Sequence, residues 1–408
     1  MNKTAKKWCI AFLIVMLLVL GGIAAANVYM DPYGYFTFQS GNYDDIDFYF
    51  KENDVYQRTL KANHVENYHD QYDAYIIGGS KTSSYRVEKL SELDGYRYYN
   101  YYNLSGNCYE YELAVRYLLK TAQPKKIILS ISNSDLRYYQ RDTSYLTNRI
   151  PAELGGTSKL AEYWYFLFRD VVTSYDTWKS RQVKEQSSIR TTPASGERNL
   201  DRAYAKAVTD WDGNVQKSVT NELFSQMAKL FGWQASLPGT EQNLEAIRQI
   251  KAECDAAGVE LLVILSPSFL AEMSEYEGTD YERFQMELAK ITDYWDFEDY
   301  SDMTLNPYNY YNQGHFYYEL GDAVVDRING KDLGIENFGV YVTRDTVMEH
   351  LSDRRERYNA LKAEYESKGS ITLKTKKSPS CLVKDLSLYS AVNTSGTDDE
   401  ADDFGSEG

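Results

Sequence analysis

Two residues that lie far apart in the sequence, Ser80 and His315, have side chains that nucleophilic catalysis uses. Ser80 follows the apolar run and two glycines of IIGGS (76–80), a pattern typical of a strand that ends in a tight turn. A serine hydroxyl is a poor nucleophile until a nearby base removes its proton. The chain has four histidines, and His315 is the one in a loop just before a predicted amphipathic helix. Ser80 is therefore a candidate nucleophile and His315 a candidate base, although a turn serine can also act only as a helix cap.

Polar residues and glycines also follow other apolar runs that we predict to be strands. In an open parallel sheet, ligands bind beyond the carboxyl ends of the strands. The backbone N–H groups of Ser80 and Gly106, with the side chain of Asn133 or Ser134, can form a pocket for an oxyanion there. The candidate oxyanion or substrate-binding residues are Gly79, Gly106, Asn133 and Ser134.

Strand-like and helix-like segments alternate along much of the chain. Apolar runs of strand length occupy 73–79, 96–106, 125–132 and 259–265, with a further short strand near 294–299. Amphipathic helical patterns occupy 108–124, 241–257, 280–292 and 318–328. This alternation predicts an α/β fold with a parallel sheet and flanking helices. The pattern breaks between about 137 and 238, where we predict a mostly helical insertion that forms a lid or one wall of a cleft.

The N-terminal segment is typical of a membrane-spanning helix. Lys3, Lys6 and Lys7 precede residues 8–26, nineteen positions without a charged side chain. This length nearly spans a hydrocarbon core of about 30 Å, and the flanking lysines favour a cytoplasmic N-terminus. We predict an uncleaved anchor in the lipid bilayer at 8–26, with the rest of the chain outside the cytoplasm. A cleaved signal peptide is the alternative, because the small residues at 24–26 suit a signal peptidase.

The charge and the histidine spacing argue against two classes of function. The chain has 44 Lys and Arg against 60 Asp and Glu, a net charge of −16, so we predict no binding to nucleic acid. His64 and His69 lack a third ligand and a zinc-site spacing. We therefore predict neither a metal nor a cofactor.

We divide the chain into four parts. Residues 1–30 form a cytoplasmic stub and anchor, and 31–71 an irregular lead-in. Residues 72–330 form the α/β domain with its insertion. Residues 331–408 contain a charged helix at 344–367 and a disordered acidic tail.

Three motifs, in this order, resemble the SGNH/GDSL hydrolase superfamily. They are IIGGSKTSSYR, YNLSGN and NPYNYYNQGHFYYELGDAVVDRI. VYMDPYGYF, just after the apolar N-terminal segment, is similar to the membrane-anchored bacterial branch related to polysaccharide O-acetylation and teichoic-acid D-alanylation proteins. The resemblance covers roughly residues 8–36, 72–136 and 240–328.

The resemblance implies a flavodoxin-like sheet with Ser80 as nucleophile and His315 as general base. It also implies an extracytoplasmic esterase or O-acyltransferase that acts on a cell-envelope polysaccharide, often beside a membrane-bound O-acyltransferase.

Two positions depart from the pattern of that superfamily. Asn312 stands where the family usually has an Asp three residues before the histidine, and Asp302 or another nearby acid can substitute for it. The third motif, usually Gly-x-Asn-Asp, has its Asn shifted by one place, so the side-chain oxyanion donor is either Asn133 or Ser134. The alternative function is therefore a catalytically inactive relative that binds glycan or scaffolds an envelope-modification complex.

Overall fold

The computed structural model describes most of the chain up to Lys368. The described residues are 3–32, 34–36, 48–50, 55–137, 139, 150–155, 158–182, 189–192, 194–200, 231, 234–306, 309–312, 314–368 and 371. The strands are β1 Phe48–Phe50, β2 Ala74–Gly78, β3 Tyr98–Tyr102, β4 Lys126–Ile131, β5 Ile189–Thr191, β6 Arg198–Asn199, β7 Glu260–Leu265, β8 Tyr294–Asp296, β9 Tyr310–Asn312, β10 His315–Phe316 and β11 Val340–Val342. The helices are α1 Lys3–Met30, α2 Val55–Tyr68, α3 Val87–Leu90, α4 Cys108–Thr121, α5 Lys159–Leu167, α6 Val171–Gln182, α7 Thr240–Ala257, α8 Leu270–Tyr276, α9 Asp280–Ile291, α10 Tyr318–Ile328 and α11 Val347–Lys368.

Six strands form the main sheet, in the spatial order β11-β8-β7-β4-β2-β3. The strands pair in parallel except β11, which is antiparallel to β8. The chain goes from β2 outward to β3 and then returns past β2 to β4, so the direction of strand addition reverses between β2 and β4. A reversal of this kind opens a crevice at the carboxyl ends of the two strands. The predicted α/β fold with a mostly parallel sheet and flanking helices is confirmed.

Helices cover both faces of the sheet. In β2, Tyr75 and Ile77 pack in the core that α4, α7 and α9 complete, whereas Ile76 packs in the core that α8 and α10 complete. A strand buried on both faces has a continuous apolar sequence rather than an alternating one. Full burial of a large apolar side chain contributes about 1.5–3 kcal/mol. This double burial explains why the strands could be located from the sequence.

The helix α2 lies within the segment that we predicted to be an irregular lead-in. Leu60 and Val65 are buried, and Lys61 Nζ donates hydrogen bonds to the carbonyl oxygens of Asn100 (2.7 Å) and Tyr102 (3.0 Å) on β3. The helix therefore covers the outer edge of β3. The prediction is wrong for this segment, because a lysine that bonds buried carbonyl groups looks in the sequence like a surface charge.

The predicted insertion at 137–238 contains both helices and strands in its described part. The helices are α5 and α6, and β5 pairs antiparallel with β6 and with β1 of the lead-in. Residues 201–230 lie outside the described residues.

The predicted charged helix corresponds to α11, and the acidic tail beyond it lies outside the described residues. The helix packs against the α/β domain through buried polar groups. His350 Nε2 lies 2.8 Å from Asp296 Oδ2, and Arg354 pairs with Glu277 at 3.3 Å and donates to Gln285 Oε1 at 2.9 Å. Residues 331–368 are therefore joined to the sheet domain rather than separate from it.

The helix α1 is long and apolar enough to cross a membrane. Its large apolar side chains, among them Phe12, Leu17 and Leu18, are exposed. This agrees with the predicted anchor at 8–26.

We predict unequal effects for two adjacent arginines of α11. Arg354→Ala should lower the free energy of unfolding by about 3–5 kcal/mol, because it leaves the buried Glu277 carboxylate without its cation. Arg355→Ala removes a solvent-exposed ion pair with Glu282 and should cost less than about 1 kcal/mol. Urea unfolding of the detergent-solubilised protein measures both. Equal losses would contradict the packing of α11.

Candidate active site

Ser80 lies just beyond the carboxyl end of β2. A Cβ atom at Gly78 would lie 2.1 Å from the carbonyl oxygen of Ser130 on β4, and one at Gly79 would lie 2.5 Å from Oδ1 of Asp135. The first approach is to a backbone atom and is not sterically allowed, so position 78 requires glycine, whereas a larger residue at Gly79 would have to displace the Asp135 carboxylate. Gly78 lets β2 end close against β4, and Ser80 begins a 3-10 turn after Gly79.

The serine turn, Ser80–Ser84, is held on two sides. The Asn100 side chain on β3 donates to the carbonyl oxygen of Thr82 at 2.9 Å. The Ser84 hydroxyl donates to the carbonyl oxygen of Phe316 at 2.6 Å. Because Phe316 lies on β10, this second bond joins the turn directly to the strand that carries His315.

His315 reaches this sheet edge on the hairpin formed by β9 and β10, where it pairs with Asn312. Its ring stacks on that of Tyr311, with centroids 5.7 Å apart and an interplanar angle of 18°. The distance between His315 Nε2 and Ser80 Oγ is 2.7 Å, although the two residues are 235 positions apart in sequence. The structure thus brings the candidate nucleophile and the candidate base into hydrogen-bond contact.

The imidazole of His315 is neutral over the physiological pH range. Burial lowers its pKa to about 3, and the positive charges of Arg198 and Lys81 lower it further. A neutral ring that carries its proton on Nδ1 accepts the hydrogen bond from the Ser80 hydroxyl at Nε2. This is the protonation state that a general base requires.

Asn312 is described only in its backbone, which pairs with His315 in the hairpin. Its side chain lies outside the described residues, so its role in orienting the imidazole stays a prediction. Asp302, the acid considered as a substitute, is exposed.

Among the predicted oxyanion donors, the Asn133 side chain differs from Ser134 and Gly106 in having an amide that no described residue bonds. Asn133 follows β4, its side chain is buried, and its amide atoms have no hydrogen-bond partner among the described residues. The Ser134 hydroxyl lies 3.0 Å from that of Ser132. The Gly106 N–H donates to the carbonyl oxygen of Asn103 at 3.2 Å, so this turn already uses the predicted donor.

A buried polar network that we did not predict lies beside the serine turn. Lys81 Nζ contacts the Ser268 hydroxyl at 2.6 Å and Glu272 Oε2 at 2.9 Å. Ser268 in turn donates to Glu298 Oε1 at 2.8 Å, and the Tyr281 hydroxyl donates to the other oxygen of Glu298. The position of Ser268 after an apolar strand was a signal for this site, but nothing in the sequence paired it with Lys81.

Two buried carboxyl groups near Lys81 hold protons more tightly than usual. Burial raises the pKa of Glu298 to about 7, and Lys81 opposes the increase. Burial likewise raises the pKa of Asp135 to about 6, although hydrogen bonds from Ser132 act to lower it. Lys81, the residue after Ser80, forms an ion pair with Glu272 at 2.9 Å within this network. The Lys81 ammonium can therefore favour negative charge that develops near the serine turn.

Within the described residues, no group of three or more His, Cys, Asp and Glu side chains is placed to hold a metal ion. In comparisons with known proteins, the chain matches no family model and no curated protein.

We predict that Glu298→Gln changes how stability depends on pH. In the folded protein Glu298 keeps its proton up to a pKa of about 7, whereas in the unfolded chain it titrates near its usual value of 4.5. The stabilising contribution of the protonated form is thus complete below pH 4.5 and is lost as the pH rises to about 7. Because glutamine does not ionise, the variant should gain stability relative to wild type across this window.

Urea unfolding between pH 4 and pH 8 tests this prediction. Glu287→Gln on α9 is the matched control: Glu287 is half-buried and pairs with Lys290, which lowers its pKa, so this variant should show no such gain. A difference between Glu298→Gln and wild type that is constant with pH would contradict a protonated Glu298.

Proposed function

We propose that this chain is a membrane-anchored, extracytoplasmic serine esterase or O-acyltransferase of the SGNH type. It acts on a cell-envelope polysaccharide, either by removing acyl groups from it or by transferring acyl groups to it. The observation that carries the proposal is the 2.7 Å contact between Ser80 Oγ and His315 Nε2 at the carboxyl edge of a parallel sheet.

The position of the contact in the sheet supports the proposal. If the five parallel strands are numbered in chain order, their spatial order is 2-1-3-4-5, which is that of flavodoxin-like sheets. Ser80 follows the first of these strands and Asn133 follows the third, on either side of the switch point. Ligands bind at such a switch point in open α/β sheets.

The same geometry supports a two-step acyl transfer. Ser80 Oγ attacks the carbonyl carbon of the ester while His315 Nε2 takes the hydroxyl proton. The Ser80 N–H and the Asn133 amide are the candidate donors to the oxyanion. His315 returns the proton to the departing alcohol, which leaves an acyl-serine. Water or a sugar hydroxyl, deprotonated by His315, then attacks the acyl-serine; the bond between the acyl carbon and Ser80 Oγ breaks, and His315 returns the proton to Ser80. The choice of acceptor separates esterase from transferase.

The location is part of the proposal. If α1 crosses the membrane with Lys3, Lys6 and Lys7 on the cytoplasmic side, the site faces the cell envelope. Its partners are then an envelope glycan and, where acyl groups are supplied from the cytoplasm, a membrane-bound O-acyltransferase.

A fluorophosphonate probe tests this function. Wild-type protein should form a covalent adduct, and Ser80→Ala should form none because the attacking oxygen is absent. His315→Gln should slow labelling by about 10²–10⁴-fold, the usual contribution of a general base. Ser91→Ala, which removes a hydroxyl bonded only to the carbonyl oxygen of Val87, is the matched control and should label normally.

Undiminished labelling of Ser80→Ala would contradict the assignment of the nucleophile. A folded wild-type protein that never labels would contradict the catalytic proposal and favour the glycan-binding or scaffolding alternative, for which Asn312 is the sequence signal.

A further inference from the structure

The helices α5 and α6 present apolar and aromatic side chains to the outside of the protein. Leu160 is 66% exposed and Trp164 51% exposed on α5, and Val172 is 68% exposed on α6. Tyr163 and Tyr175 are exposed beside them. A cluster of large apolar side chains on the surface commonly marks an interaction site. We call these five residues the outer face of α5 and α6.

The opposite side of α5 is already packed. Phe166 is buried and stacks on Tyr35 with ring centroids 3.8 Å apart, and the Tyr35 hydroxyl donates to buried Glu162 at 3.0 Å. Tyr163 lies at the border between the two sides, because its ring packs edge-on against that of Phe36. The rest of the outer face is not on the side of the helix that packs on Tyr35.

The outer face lies close to the end of α1. The Asn27 side chain donates to the carbonyl oxygens of Leu167 and Arg169, both at 2.9 Å, in the connection between α5 and α6. Asn27 directly follows the uncharged segment 8–26. The two helices are thus fixed at the level where α1 would leave the hydrocarbon core.

The residues of α1 that α5 and α6 cover show how deep in the membrane these two helices would lie. Leu20, Ile23, Ala24 and Asn27 are partly or fully covered, at helical spacing, and α1 packs against both α5 and α6. From Leu20 to Asn27 the helix rises about 10 Å, at about 1.5 Å per residue. Interfacial amphipathic helices bury their apolar faces to about 5–10 Å.

The residue types favour lipid as the occupant of this surface. Tyr and Trp are enriched where membranes meet water, because their rings combine an apolar body with a polar tip. On the outer face, Tyr163, Trp164 and Tyr175 are of this type, and Leu160 and Val172 are purely apolar.

We propose that α5 and α6 lie in the interface of the phospholipid bilayer that α1 crosses, with their outer face among the lipid headgroups and upper acyl chains. This rests on the proposed membrane anchor but not on acyl chemistry at Ser80. The two helices contact α1 on one side, and α5 is bonded on the other to Asn63 of α2 through Lys159 and to Ala152 through Glu162.

Site-directed spin labelling of the full chain in phospholipid vesicles tests the proposal. Nitroxides are attached to Leu160→Cys, Val172→Cys, Leu17→Cys and Met348→Cys, each in a Cys9→Ala, Cys381→Ala background. Cys108 and Cys254 stay unlabelled because they are buried and burial raises the pKa of both thiols. Collision with oxygen reports contact with lipid, and collision with a water-soluble nickel chelate reports contact with water. Leu17 is a probe of the anchor, and exposed Met348 on α11 is the matched aqueous control.

We expect the ratio of oxygen to nickel accessibility at Leu160→Cys and Val172→Cys to exceed that at Met348→Cys several-fold, and to approach that at Leu17→Cys. If Leu17→Cys is in lipid while the two interface probes match Met348→Cys, the proposal is overturned and the anchor stands. If the interface probes are shielded from nickel only in native membranes, a protein covers the face and the lipid proposal is also overturned. Labelling of Ser80 by fluorophosphonate reports separately on the proposed chemistry.

Discussion

The contact between Ser80 and His315 depends on how closely two parallel strands approach at their carboxyl ends. The absence of a Cβ atom at Gly78 lets β2 end against the backbone of β4, and its absence at Gly79 leaves room for the Asp135 side chain. Any larger residue at Gly78 would displace the turn that begins with Ser80. Ser84 then bonds to the carbonyl oxygen of Phe316, so a single short turn both presents the hydroxyl and positions the strand that carries the imidazole.

Burial determines the charges around this contact. Desolvation lowers the pKa of His315 to about 3 and raises that of Glu298 to about 7, whereas Lys81 is paired with Glu272. A neutral base beside a hydroxyl, with a buried cation close in sequence, is an arrangement suited to a reaction in which negative charge develops on the substrate. Hydrogen bonds within the network offset part of the free energy needed to bury these groups. The site is therefore preorganised before a substrate arrives.

The central strands and the positions of Ser80 and His315 could be predicted from the sequence, because double burial produces continuous apolar runs and parallel strands end at one edge. The helix α2 could not, since its buried Lys61 bonds to carbonyl groups that only the folded sheet presents. The network around Lys81 was missed for the same reason: Ser268 and Glu298 are 187 and 217 positions away, and no local pattern pairs them. Gly106 was correctly placed after a strand, but its N–H is used within its own turn. Local periodicity thus predicts elements, whereas polar partners depend on tertiary contacts.

The most direct test of the central claim is a pH titration of the His315 ring nitrogens by ¹⁵N NMR on histidine-labelled protein. The spectra are compared with those of Ser80→Ala, and His315→Gln assigns the resonance. We expect the ring to stay neutral down to about pH 4, in line with its pKa of about 3, and its Nε2 resonance to shift when the Ser80 hydroxyl is removed. A ring that titrates near its usual value of 6.5 and does not respond to Ser80→Ala would contradict the account.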